Sequence, residues 1–332
     1  MTTADAFRAD NVTAILLWAA GSDQAPSDDA RPDEDDVLAL VDLHALTVPQ
    51  DPAELRTQTL DLATLFLAVG IDPAVATLFV QSHVAEHTAL GWLMECTASM
   101  GELRRMTQFK DKAGSAEACG AFVSGGLFTY PALMAADILL YDTAEVPVGD
   151  DQRQHVELTR DLAERFNSRY GDTFVVPRAV IAKAGARVMD LQEPTRKMSK
   201  SEDSPAGTIN VLEDLASVTK KIKRAVTDTE SEVRFDPTDK PGVSNLLSIL
   251  AACTGRTPEE AAEGYSQYGP LKADTAAAVA AVLEPIQARH RALAADPGEV
   301  TRLLAVGADK ARAVAGPTLA RARHALGLST PG

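Results

Sequence analysis

The pattern of apolar and polar positions changes period several times along the chain. Residues 37–43 (VLALVDL) form a short apolar run that ends in polar positions, as a buried strand does. Residues 52–69 space their leucines at helical intervals, and residues 76–80 (ATLFV) give a second strand. Residues 89–109 read as one or two helices, 130–141 as an apolar helix, and 145–148 as another short strand. A long charged helix with caps in its first turn is predicted over 150–169, and a further strand over 174–181. Strands alternating with helices imply an α/β fold with a parallel sheet. From about Val211 onward the pattern is helical with no convincing strand, so a second, helical domain is predicted. Residues 21–36 (GSDQAPSDDARPDEDD) are polar and acidic with two prolines and read as a surface loop. No internal repeat and no long low-complexity tract interrupts this order.

Length and composition agree with two domains. The chain has 332 residues, 45% hydrophobic and 24% charged, which is ordinary for a globular protein able to bury a core without staples. Cys96, Cys119 and Cys253 are too scattered for a disulfide scaffold or a zinc spacing and fit a reducing, cytoplasmic setting. The apolar run 14–21 is too short to span a bilayer, and no signal-peptide pattern opens the chain. The net charge of −15, from 32 basic and 47 acidic residues, excludes a generic nucleic-acid coat but leaves room for a local basic patch. Residues 1–60 hold 12 acids and three arginines, and no lysine precedes Lys110. The densest basic cluster is 220–224 (KKIKR); Lys310, Arg312, Arg321 and Arg323 follow near the C-terminus.

Several groups could carry chemistry. Lys197 and Lys200 lie three apart in a polar stretch, where two ammonium groups on a loop can follow charge building on a leaving phosphate group. Tyr130, Met134 and Asp137 are spaced i, i+4, i+7 and share one helix face, with Thr129 as its expected cap and Pro131 in its first turn. Asp137 interrupts an apolar run, so its carboxylate needs a backbone partner or a ligand donor such as an indole N–H. Val146 and Val148 alternate on the strand before Gly149, which lets a ligand approach the backbone. Asp151 and Gln152 fall at the start of the next helix, where N–H groups favour anions. His83 to His87 reads H-x-x-E-H, an inverted zinc-protease string with no third ligand to complete it. His44 follows a strand and is either within reach of a ligand or a satisfied buried histidine. Trp18, Leu90 and Trp92 read as core or interface residues.

The string KMSKS inside 196–201 is the second signature of class I aminoacyl-tRNA synthetases. With 41–48 (VDLHALTV), 106–112 (MTQFKDK), 129–141 (TYPALMAADILLY) and 147–157 (PVGDDQRQHVE), the chain resembles the bacterial tryptophanyl-tRNA synthetase family. The likeness continues through 185–189 (GARVM), 225–229 (AVTDT) and 240–247 (KPGVSNLL), and covers about residues 37 to 328. It implies a Rossmann-like catalytic domain over 1–190, a KMSKS loop at 191–208 and a helical anticodon-binding domain at 209–300. A C-terminal helix in 301–332 is expected to pack back on the catalytic domain.

The resemblance implies ATP-dependent activation of tryptophan and transfer to its tRNA by a cytoplasmic homodimer. Mg²⁺ would accompany ATP, with no resident metal, no tightly bound cofactor and no membrane. It gives Lys197, Lys200, Ser199 and Ser201 catalytic roles. It assigns Asp137, Tyr130, Met134, Val146, Val148 and Gln152 to tryptophan, with Asp137 reading the indole nitrogen. Gly149, Asp151, Lys112, Val188, Met198 and Asn11 are assigned to ATP. The basic clusters become candidates for tRNA phosphates. The alternative is a non-catalytic synthetase-like protein that binds tryptophan or RNA; a tyrosine-specific relative fits the strings less well.

The chain departs from the family at its start. The HxGN-like first signature has its best counterpart at Arg8-Ala9-Asp10-Asn11, where only the asparagine is kept and Asp10 would oppose ATP phosphates. No first strand with a glutamine turn precedes it, so the N-terminus reads as truncated or degenerate. The expectation is a sheet lacking a central strand between residues 37–43 and 145–148.

Overall fold

The computed structural model describes residues 36–107, 109–110, 122–149, 152–181, 188–198 and 205–329. Strand β1 (Val37–Leu40) pairs in parallel with β2 (Thr77–Val80), Val37 opposite Thr77 and Leu40 opposite Val80. Between them come the single-turn helix α1 (Asp42–Ala45) and α2 (Pro52–Val69). The carboxylate of Asp51 caps α2 by accepting the N–H groups of Ala53 and Glu54, and Pro52 occupies a first-turn position that needs no donor. β1 is shorter than the apolar run because Asp42 turns aside to accept the Ser82 N–H at 3.0 Å, tying together the segments that leave β1 and β2.

The region expected as one or two helices is two: α3 (Glu86–Thr97) and α4 (Met100–Arg105). Ser99 separates them with a capping box closed by Glu102. Helix α5 (Gly125–Leu139) begins a full turn before the expected start. Its cap is Ser124, not Thr129: the Ser124 hydroxyl accepts the Leu127 N–H at 3.1 Å and donates to the Thr47 carbonyl. The Thr129 hydroxyl instead turns back onto the Gly125 carbonyl, and Pro131 falls inside the helix rather than in its first turn.

Strand β3 (Glu145–Val148) leads to α6 (Arg153–Tyr170) and returns as β4 (Arg178–Ile181), parallel to β3. Of the acids expected to cap α6, Asp150 and Asp151 lie outside the described residues; Gln152 stands at the N-cap without a side-chain cap bond. β4 starts later than its apolar run. Asn167, at the end of α6, accepts the N–H groups of Thr173 and Phe174 and donates to the Phe174 carbonyl, so that backbone is bonded to a side chain instead of a strand. Phe174 packs beside Phe166 in the core between α3, α5 and α6.

Among the described residues, no hydrogen-bonded strand joins β1–β2 to β3–β4. β2 is almost wholly buried, whereas Glu145 and Pro147 of β3 are exposed. The segment 1–35, on which the N-terminal expectations rest, lies outside the described residues.

The C-terminal part is helical: α7 (Leu215–Lys223), α8 (Pro241–Thr254), α9 (Pro258–Ala262), α10 (Tyr268–Ala294) and α11 (Pro297–Ala325). Helices α7, α8 and α10 enclose one core, and α10 also packs on α2. Helix α11 crosses the back of β2 so closely that a Cβ on Gly307 would lie 1.9 Å from the Leu78 carbonyl oxygen. Only glycine permits that approach. No helix of the described residues is long and apolar enough to cross a membrane.

Candidate active site

In parallel α/β sheets, ligand-facing groups gather beyond the carboxyl ends of the strands. Here the segments leaving β1 and β2 deliver His44 and Gln81 to one carboxylate, that of Asp137 on α5. Gln81 Nε2 donates to Asp137 Oδ1 at 2.7 Å, and Gln81 Oε1 accepts the Leu43 N–H at 3.2 Å. His87 Nδ1 approaches the same Oδ1 at 2.6 Å, and His44 Nε2 approaches Oδ2 at 2.8 Å. Gln81 and His87 are fully buried and His44 nearly so. Burial works to raise the Asp137 pKa, but the hydrogen bonds from His44 and His87 outweigh it and hold the group at about 2. It is therefore a carboxylate at neutral pH.

The second nitrogen of His87 lies 2.8 Å from the Tyr141 hydroxyl. Burial, with the negative charges of Asp137 and Glu86, pushes that phenol well above its ordinary pKa, so it keeps its proton. With His87 as the neutral Nδ1–H tautomer, the donors run in one direction: Tyr141 O–H to His87 Nε2, and His87 Nδ1–H to Asp137. Both nitrogens of His87 are occupied, while His83 is exposed, so the two histidines of the H-x-x-E-H string do not converge on a metal. No cluster of three His, Cys, Asp or Glu able to hold a metal occurs among the described residues.

An ionised carboxylate has about four lone-pair directions. Gln81, His87 and His44 fill three of them and leave one on Oδ2, while the Asp137 side chain retains 14% exposure. Asp137 is thus bonded within the protein, to three side chains and not to the backbone partner the sequence offered, and its Oδ2 keeps one acceptor direction. Tyr130 stands on the same face of α5, its ring edge-on to His44 at 6.1 Å and its hydroxyl 2.7 Å from His155 Nε2. Met134, between Tyr130 and Asp137 along α5, is half-buried. Val146 and Val148 alternate with the exposed positions of β3, opposite Ala179 and Ile181 of β4. Gly149 is exposed at the end of β3, and its carbonyl accepts the Gln152 N–H at 3.0 Å.

The second group of predicted residues lies on a hairpin. Met189 and Lys197 form an antiparallel bridge, flanked by Asp190 N–H to the Arg196 carbonyl and Met198 N–H to the Val188 carbonyl. Lys197 is exposed, and partial burial of its ammonium lowers its pKa from the ordinary value. Val188 and Met198 turn their side chains into the core shared with α8 and α10, and both residues are buried. Asn11, Lys112, Asp151, Ser199, Lys200 and Ser201 lie outside the described residues.

The basic clusters divide. Lys221 is spent inside the fold on Glu213 and the Thr208 carbonyl, whereas Lys220, Lys223 and Arg224 are exposed. Along α11, Lys310, Arg312 and Arg321 bond the carbonyls of Pro73, His83 and Thr173, tying that helix to the sheet half. Gln81, Tyr141 and His155 were not singled out by sequence reasoning, and His87 was noticed only as part of the H-x-x-E-H string. Gln81 carried a usable signal, a polar residue directly after a buried strand.

A family model for class I tRNA synthetases (W and Y) matches residues 33–284. A tryptophan–tRNA ligase 1 of Streptomyces avermitilis is 55% identical over 294 residues, 89% of each chain. The crystal structure of tryptophanyl-tRNA synthetase from Mycoplasma pneumoniae superposes with a TM-score of 0.77 at 39% identity, covering 88% of each chain. That of the Campylobacter jejuni enzyme, complexed with ADP and tryptophan, gives a TM-score of 0.74 at 34% identity over 87% of this chain and 89% of that one. The α/β arrangement with its helical C-terminal part agrees with this likeness, and the chain belongs to the bacterial tryptophanyl-tRNA synthetase family of class I.

Proposed function

We propose that this chain is a tryptophan–tRNA ligase: it joins tryptophan to ATP, releasing pyrophosphate, and passes the acyl group to the terminal ribose of tRNA. The observation that carries the specificity is the Asp137 carboxylate, ionised and rigid, with one acceptor direction remaining on Oδ2. An indole N–H is a donor with no acceptor character and matches it. Tyr130, Met134, Val146 and Val148 supply a partly apolar lining of the right kind, and Gln152 the polar contact to the amino-acid end. Gly149 and Asp151, with Val188 and Met198, are assigned to ATP together with Lys112 and Asn11.

Attack of the tryptophan carboxylate on the α-phosphate breaks the bond to pyrophosphate. It needs alignment and charge neutralisation more than covalent help. Lys197 supplies an ammonium for the leaving phosphates, joined by Lys200, Ser199 and Ser201 of the same loop. Mg²⁺ enters as part of the ATP substrate.

Residues 1–190 are assigned to catalysis, 191–208 to the loop, 209–300 to the tRNA anticodon, and 301–332 to the helix returning to the catalytic half. The exposed Lys220, Lys223 and Arg224 are the preferred tRNA phosphate contacts. Trp92 and Met100 are 65% and 59% exposed on neighbouring helices, which supports a homodimer over a monomer. Tryptophan-dependent ATP–pyrophosphate exchange tests the reading. Exchange with tryptophan but not tyrosine is expected; tryptophan binding without exchange would favour the non-catalytic alternative.

A further inference from the structure

The base of the Lys197 loop has an open edge that one side chain from the helical half closes. In an antiparallel pair whose two residues do not exchange hydrogen bonds, each residue's N–H and C=O point away from its partner. Met189 and Lys197 are such a pair, because the bonds of the bridge run through Asp190–Arg196 and Met198–Val188. The N–H and C=O of Met189 therefore point away from Lys197, at a half-buried position where they need partners from another element. Asn245 of α8 provides them: Oδ1 accepts the Met189 N–H at 2.8 Å and Nδ2 donates to the Met189 carbonyl at 2.8 Å, 56 residues away in sequence. Asn245 is only 4% exposed, and its carboxamide acts as a third strand one residue long.

The same end of α8 is fixed from three directions. Lys240 at its N-cap is fully buried and pairs with Asp228 at 3.1 Å and Glu230 at 2.7 Å. Gly242 lies against Val226 so closely that a Cβ would stand 2.1 Å from the Val226 carbonyl oxygen. Val226 N–H in turn donates to the Leu191 carbonyl at 2.8 Å, two residues beyond Met189. On the far side of the hairpin, the Met198 sulfur accepts the Ile209 N–H, and its side chain packs against Ile249, Val279 and Leu283 of α8 and α10. The strand carrying Lys197 is thus fastened to the helical half through both of its neighbours.

We propose, taking Lys197 as the ammonium that faces the leaving phosphates, that Asn245 is a positioning residue. It holds the Met189–Lys197 bridge in register with α8, so that the orientation of the helical half sets where the Lys197 ammonium stands. A displacement of α8 is then transmitted to the phosphate site.

The test uses the full chain with Asn245→Ala, which removes both bonds, and Asn245→Asp, which keeps the acceptor for Met189 N–H and sets an acceptor against its carbonyl. Hydrogen exchange should lose protection at the amides of Met189 and Met198 in Asn245→Ala, and less in Asn245→Asp, with residues 37–40 and 77–80 unchanged. The turnover rate in ATP–pyrophosphate exchange should fall about 10- to 100-fold with the KM for tryptophan unmoved. In a Lys197→Ala background, Asn245→Ala should add no further loss. Unchanged protection at Met189, protection lost evenly across α8 and α10, or full additivity with Lys197→Ala would each overturn the proposal. A Lys197→Ala protein of normal turnover would sink the reading of Lys197 instead. The exchange protection would still decide whether Asn245 holds the loop.

Discussion

The carboxamide of Gln81 donates to the carboxylate of Asp137 at 2.7 Å across 56 residues of chain, with its own oxygen fixed by the Leu43 N–H. Because Gln81 follows β2 and Leu43 follows β1, this one amide ties the ends of both strands to α5. Asp137 is thereby located by the sheet as well as by its helix. Its remaining acceptor direction is set before any ligand arrives, which is the condition for discriminating a donor from its absence.

Replacing Asp137 by asparagine exchanges an acceptor for a donor among three donors. One of Gln81, His87 and His44 must then face an N–H group. Asp137→Asn should weaken tryptophan binding about 10- to 100-fold, the equivalent of a lost hydrogen bond to a charged group. It should also lower stability by about 1–3 kcal/mol, through a buried donor left unsatisfied. Calorimetry with tryptophan and thermal melting check the two effects separately; unchanged affinity would remove Asp137 from the pocket.

Tyr141→Phe keeps the ring beside Phe79 and His87 and removes only the proton donor to His87 Nε2. The expected cost is about 1 kcal/mol of stability. The affinity for tryptophan should fall by less than in Asp137→Asn, because the carboxylate keeps all its own donors. A loss as large as that of Asp137→Asn would mean that the Tyr141 hydroxyl acts on the ligand directly.

The parallel strands and helix α2 were legible because their apolar period and caps are local. Residues 52–69 space their leucines at helical intervals, and the helix has those bounds, with Asp51 as its cap and Pro52 in its first turn. The start of α5 was not legible, because its cap competes with Thr129 and is decided by a contact from Ser124 to Thr47, 77 residues away. Tyr130, Met134 and Asp137 share a face by spacing alone, so that part of the site could be read directly. Gln81, His87 and Tyr141 converge on Asp137 only through tertiary packing. A buried histidine that serves a carboxylate has no distinctive spacing, and in this chain it fell inside a string suggesting zinc.

Lys197 stands exposed on the hairpin, with the neighbouring methionine doing the anchoring. Lys197→Ala should therefore leave folding and tryptophan affinity nearly unchanged while slowing adenylate formation. Interactions made mainly in the transition state appear in the turnover rate. Pyrophosphate-exchange kinetics beside calorimetry separate the two; equal losses in binding and rate would indicate a ground-state contact.

The pairing of Glu102 with Arg165 fixes a pH dependence whose sign can be worked out. Arg165 Nη1 donates to Glu102 Oε2 at 2.9 Å and to the Thr97 carbonyl at 3.0 Å, and Nη2 bonds the other carboxylate oxygen. The hydrogen bond from Arg165 outweighs burial, and with Ser99 it lowers the Glu102 pKa from 4.5 to about 2. A carboxylate whose pKa is depressed by folding stabilises the fold when ionised. Its contribution is complete above pH 4.5 and is lost as the pH falls toward about 2. Glu102→Gln keeps an acceptor for the Ser99 N–H, so the capping box survives, while the charge is removed and the amide NH2 replaces the oxygen that accepts from Arg165 Nη2. After solvent screening of the pair, the loss at neutral pH is on the order of 1 kcal/mol, a fall of roughly 1–3 °C in melting temperature for a chain of this size. Melting curves of the two proteins from pH 7 down to about 3 should keep a constant gap at first and converge below about pH 4.5. A gap that stays constant through the acidic range would show that the glutamine side chain costs stability through packing, not through the lost charge.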